Sequence, residues 1–167
     1  MKKSSILLAI FLFGILCASA QSDYKSAIGG RLGSPISFSF KQFITKAGAI
    51  ELNAGFAPVG WGSYFRLGGM YQHHFPIGNV EGLKWYVGGG VFVDFYHYDD
   101  IYRGSNYHYS KSSPGINAVG GVDYKFSSIP LNVSADWMPS FFFNGDLYYS
   151  SRIRPGYGAV SVRYVLK

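Results

Sequence analysis

Residues 83–98 read Leu-Lys-Trp-Tyr-Val-Gly-Gly-Gly-Val-Phe-Val-Asp-Phe-Tyr-His-Tyr, and their alternation decides what they form. Every second residue gives Leu83, Trp85, Val87, Gly89, Val91, Val93, Phe95 and His97; the residues between are Lys84, Tyr86, Gly88, Gly90, Phe92, Asp94, Tyr96 and Tyr98. A period of two marks a strand, whose successive side chains leave opposite faces. Both charges fall in the second series, so this strand has an apolar face and a polar one.

The same arrangement recurs on either side. Ile116, Ala118, Gly120, Val122, Tyr124 and Phe126 oppose Asn117, Val119, Gly121, Asp123 and Lys125, and Ile129, Leu131, Val133, Ala135 and Trp137 oppose Asn132, Ser134 and Asp136. Continuing along the chain predicts further strands over Tyr24–Gly33, Ile36–Ile44, Ala49–Ala57, Tyr64–Phe75 and Gly156–Lys167. That makes eight strands with no helical period among them. Within them Lys25, Arg31, Lys41, Glu51, Arg66, Lys84, Asp94, Asp123, Lys125, Asp136 and Arg163 all take the polar face.

Such partition suits a membrane barrel, since lysine or arginine facing lipid at mid-depth costs roughly 2–4 kcal/mol. The charges would then line a lumen that eight strands leave little wider than its own side chains. They are expected to fill it as a paired, hydrogen-bonded network. Connection lengths fit: Thr45–Gly48, Pro76–Gly82 and Ser127-Ser128 are the short turns of one end. At the other end Ser34-Pro35 and Val59–Ser63 are short, whereas Asp99–Gly115 and Phe141–Pro155 are long. Phe75, Trp85, Phe95, Trp137 and Tyr164 lie toward segment ends, as interfacial girdles do.

Composition agrees. Charged residues are only 14% of the chain, against about 25% in a soluble domain, and Thr45 is its single threonine, so the wet face of a soluble β-protein is missing. That absence also counts against a lipocalin-like barrel, the same pattern turned inside out. The basic residues are scattered rather than clustered, which argues against nucleic acid as a partner.

The first 20 residues read as a cleavable signal peptide: basic Lys2-Lys3, an apolar run from Ile6 to Leu16 too short to span a bilayer, and Ala18-Ser19-Ala20 before Gln21. The mature domain is thus expected over residues 21–167, with 13 basic and 9 acidic residues. Cys17, the one cysteine, falls in that leader, and the bulky Leu16 before it argues against lipidation.

With the strands in place, the chain resembles the small outer membrane β-barrel domain family, the eight-stranded class that includes OmpA-, OmpX- and OmpW-like proteins. The resemblance is carried by residues 83–90 (Leu-Lys-Trp-Tyr-Val-Gly-Gly-Gly), 120–126 (Gly-Gly-Val-Asp-Tyr-Lys-Phe), 129–139 (Ile-Pro-Leu-Asn-Val-Ser-Ala-Asp-Trp-Met-Pro) and the closing Val162-Arg163-Tyr164. It implies an all-β, antiparallel up-and-down transmembrane barrel of eight strands in the outer membrane. Outer-membrane lipid, lipopolysaccharide and the barrel assembly machinery are its implied partners, with a monomeric state. Members usually end on an aromatic; here Leu166 is followed by Lys167.

For chemistry the sequence offers little. No two of His73, His74, His97 and His108 have the same-face i, i+2 spacing that would chelate a metal from one strand. His97 with Asp99 or Asp100 and Ser110, Ser112 or Ser113 can be drawn as a hydrolase or acyltransferase constellation, but these serines fall in a predicted loop, which gives a nucleophile no rigid support. No catalytic residue, metal or cofactor is therefore assigned, and a pore is disfavoured by the charged lumen. Interaction chemistry is expected in the long outer connections, through Tyr102, Arg103, Tyr107 and Tyr109 in one and Tyr148, Tyr149, Arg152 and Arg154 in the other. Tyrosine offers large contact area at low entropic cost, and arginine a fork for carboxylates or phosphates. A charge added at Gly88 or Ser134 is expected to be mild beside one added at Val91 or Val133, on the apolar face.

Overall fold

The structure, a computed structural model, describes residues 24–59, 62–102, 105–144 and 151–166; of residues 98–102, 105–109 and 157 it describes the backbone alone. The predicted leader, Arg103, Tyr148 and Tyr149 lie outside the described residues.

Alternation becomes eight strands: β1 (Ser26–Leu32), β2 (Ile36–Phe43), β3 (Gly48–Val59), β4 (Gly62–Pro76), β5 (Leu83–Tyr102), β6 (Ser105–Lys125), β7 (Leu131–Phe142) and β8 (Ile153–Val165). Each pairs antiparallel with the next, and β8 returns to β1 through Ala27↔Val165 to Leu32↔Val160, closing the barrel. Closure gives every strand a partner on both sides, so the wall has no free edge along the paired stretch.

The facing follows parity, with the apolar series outward. Val91 is 64% exposed and Trp137 56%, whereas Lys41, Glu51, Asp94 and Arg163 are each 0% exposed. This is the reverse of a lipocalin-like barrel. Phe75 and Trp85, opposite one another in the β4–β5 register, stack on the outer surface with centroids 4.4 Å apart. Trp137 departs from the girdle expected of it: β7 runs on to Phe142 and leaves it in mid-strand.

Other expectations need correction. The stretch 99–115 is no open loop, because β5 and β6 continue as a hairpin with Asp100↔Tyr107 and Tyr102↔Ser105 still in register. Tyr102, Tyr107 and Tyr109 are strand residues, as are Ser110, Ser112 and Ser113. The second long connection shrinks to 143–152. There β7 and β8 shift register between Met138↔Tyr157 and Ser140↔Arg154, so Pro155 and Gly156 together oppose Pro139. This is a β-bulge, and Gly156 supplies its φ of +93°. One extra residue flips the facing beyond it.

Neither inward position chosen for mild substitution has room. A Cβ at Gly88 would lie 1.9 Å from the Tyr71 carbonyl oxygen, and Ser134 is 2% exposed and bonded to Arg163. Backbone cannot give way as a flexible side chain does, so Gly88→Ala is expected to prevent barrel closure. Its check is the fraction of refolded protein that keeps compact mobility on an unheated gel.

Candidate functional site

Among the described residues, polar chemistry is concentrated in the interior. Arg163 of β8 occupies its middle. Its Nη2 donates to Glu51 Oε1 at 2.7 Å, its Nε to Ser39 Oγ at 2.8 Å, and its Nη1 to Ser134 Oγ at 2.8 Å and Asn132 Oδ1 at 3.3 Å. Glu51 is completed by Ser39 Oγ at 2.8 Å and Gln72 Nε2 at 2.7 Å. Beside it Arg31 forms a two-pronged pair with Asp136, Nη1 lying 2.7 Å from Oδ2 and Nη2 bonding Oδ1, while Tyr86 donates its hydroxyl to Oδ2 at 2.7 Å. Arg31 Nη1 also lies 3.9 Å from Glu51 Oε1, linking the two clusters.

Toward the short-turn end, Lys41 Nζ is 2.7 Å from Asp123 Oδ2. Tyr24 donates to the same oxygen at 3.2 Å, Asn132 Nδ2 bonds Oδ1, and His74 Nε2 stands 3.4 Å away. Lys41 Nζ also lies 4.8 Å from the centre of the Tyr86 ring. Toward the other end, Arg66 grips Asp94 with Nε at 2.6 Å and Nη2 at 2.7 Å, its guanidinium 4.1 Å above the Phe92 ring. Charge-assisted, two-pronged pairs of this kind are the strong hydrogen bonds of protein interiors.

Of the eleven charges placed on the polar face, Arg31, Lys41, Glu51, Arg66, Asp94, Asp123, Asp136 and Arg163 are buried together. Lys84 is half-buried, Nζ 5.8 Å from the Phe43 ring. Lys25 and Lys125 are half-exposed at the short-turn rim: Lys25 precedes β1, where Tyr24 takes the interior place, and Lys125 Nζ donates to the Phe126 carbonyl and, at 3.2 Å, to that of Ile129. Parity could have found Tyr86, Gln72, His74, Asn132 and Ser134, which share a face with the charges.

Arg154 is the larger correction. It belongs to no loop surface: the β8 bulge turns it inward, 7% exposed, with its guanidinium 5.3 Å from the Phe142 ring and Nη2 3.5 Å from the Tyr96 hydroxyl. Arg152 stays exposed. His97 Nδ1 lies 3.4 Å from Ser110 Oγ on the outer surface, across the β5–β6 register. Among the described residues no group of three or more His, Cys, Asp or Glu side chains is arranged to hold a metal.

Two solved structures share this architecture. Neisserial surface protein A (NspA) aligns with a TM-score of 0.59 at 18% identity, over 84% of this chain and 93% of that one. The fold is that of the small outer-membrane barrels. The N-terminal β-barrel domain of Pseudomonas aeruginosa OprF aligns with a TM-score of 0.57 at 17% identity, over 83% of this chain and 93% of the other. No protein-family model matches the sequence, and no curated protein matches it.

Removing one member of a buried pair strands the other, at about 3–5 kcal/mol. Glu51→Ala, which deprives Arg163 of its carboxylate partner at 2.7 Å, is expected to cost that much in urea unfolding of the refolded barrel. Lys125→Ala, at the rim, should cost about 1 kcal/mol or less.

Proposed function

We propose that this chain is an integral outer-membrane barrel with a closed lumen, serving a structural or surface-interaction role through the hairpin and connection at its long-loop end. One observation carries the reading: the apolar side chains face out all round the wall while the charges are paired inside. In water such a wall is an aggregation surface; in hydrocarbon it is the stable arrangement, because closure satisfies every strand's backbone. Outer-membrane lipid and lipopolysaccharide are its surroundings, the barrel assembly machinery its route of insertion, and a monomer its state. The ion-paired layers argue against a pore.

The interaction surface is the β5–β6 hairpin, which outruns its neighbours. Among the described residues β4 pairs with β5 as far as Tyr98, whose partner across the hairpin is Tyr109, so residues 99–108 project beyond the paired wall and carry Tyr102 and Tyr107, with Tyr109 at their base, to a ligand outside the cell.

A lipid-acting hydrolase or acyltransferase is the second reading, favoured by the His97–Ser110 contact at 3.4 Å on strands rather than in a loop. A serine–histidine pair needs a third group to orient the imidazole, and the nearby Asp99 side chain lies outside the described residues. Acyl release from phospholipid or lipid A that Ser110→Ala abolishes would establish it.

Fractionation tests the first reading. The protein should sediment with outer membranes and show heat-modifiable mobility, and Val91→Arg, with a charge on the outer wall, should lose assembly at a cost of roughly 2–4 kcal/mol. Recovery as a soluble periplasmic protein would overturn it. For the hairpin, register dictates the excision: replacing residues 99–108 with Asn-Gly joins Tyr98 to Tyr109, which already face each other. The barrel should still assemble and lose attachment to its surface ligand; unaltered attachment would leave the wall and the other outer connections as the interacting surface.

A further inference from the structure

The two halves of the lumen are not packed alike. From Arg163 to the short-turn end, Lys41, Glu51, Gln72, Tyr86, Asn132 and Arg163 are each 0% exposed and joined in a continuous net, Lys41 through Asp123 and Tyr86 through Asp136 and Arg31. Above it the side chains leave a small cavity whose lining includes Arg31, Arg66, Asn53 and Asn117. Its free space suits about one water molecule. A sugar or an amino acid does not fit.

The polar atoms at this cavity say what it takes. Asn53, between Ser39 and Gly68 in the register, has both its Nδ2 and its Oδ1 buried without a hydrogen-bond partner among the described residues. Asn117 is 9% exposed; its Nδ2 donates to Met138 Sδ at 2.9 Å, while its Oδ1 is likewise buried and unpartnered. An unsatisfied buried amide group costs about 1–3 kcal/mol, so three such atoms around one space call for a ligand. Two are acceptors and one is a donor, so the ligand must both donate and accept. A halide would leave both carbonyl oxygens empty. A cation would meet two arginines and no carboxylate among the lining residues.

We propose that the outer half of the lumen contains a built site for a single neutral, hydrogen-bonding molecule of water's size, held by Asn53 and Asn117. Water itself fits, making about three bonds as buried waters do. The lumen is then hydrated above the Arg31–Asp136 and Arg163–Glu51 pairs, and the site needs no path through the barrel.

Crystals of the full barrel in detergent, soaked in sodium bromide, test this. A peak within hydrogen-bond distance of Asn53 Nδ2 and Asn117 Oδ1, without anomalous signal, is the expected result. An anomalous bromide peak there would make it an anion site and overturn the proposal, as would an empty cavity or an amide-to-amide bond between the two asparagines. Asn53→Leu should abolish the peak while leaving the Arg31–Asp136 and Arg66–Asp94 pairs in place; persistence of the peak would show that Asn53 is not its ligand.

Discussion

The guanidinium of Arg163 sits where a barrel of eight strands has no water to spare, and the organisation of the interior follows from having to satisfy it. It takes Glu51 from β3, Ser39 from β2, and Ser134 and Asn132 from β7. Glu51 ties in Gln72 and Arg31, and Asn132 carries the net on to Asp123 and Lys41. A charge in a low-dielectric interior is tolerated only when paired and hydrogen-bonded. The wall can be apolar on its outer face because the inner face absorbs the polarity.

Barrel geometry also sets who pairs with whom. Lys41 and Glu51 are opposite one another in the β2–β3 register, yet Lys41 reaches across the lumen to Asp123 on β6 and Glu51 binds Arg163 on β8. Arg31 of β1 likewise meets Asp136 of β7. Arg66–Asp94 is different, joining residues opposite in register on adjacent strands. Cross-lumen pairs tie together strands that the backbone ladder leaves apart, so they resist flattening of the cylinder, which ladder bonds alone cannot do.

Two departures from regular pleating shape the long-loop end. The bulge at Pro155–Gly156 rotates Arg154 into the barrel mouth over Phe142, giving that end a cationic, aromatic lining with Arg66, Phe92 and Tyr96. The overlong β5–β6 hairpin carries its tyrosines past the wall on a hydrogen-bonded ribbon rather than a loose loop, so a partner would meet a framework already ordered.

What the sequence determined by itself is facing. Strand side chains alternate, so once Asp94 and Lys84 mark one face, the other residues of their segment are assigned, and the same rule put Arg31, Lys41, Glu51, Arg66, Asp123, Asp136 and Arg163 on one side. Parity is local and survives any closure of the sheet. It could not say which charge meets which, because that depends on the strands brought opposite when β8 joins β1. Nor did it reach Arg154, read as part of a loop although one inserted residue turns it into the barrel, or residues 99–115, whose polar, tyrosine-rich run reads as a loop until pairing with the facing strand makes it a ribbon. Those outcomes rest on contacts between distant parts of the chain, and only the closed barrel decides them.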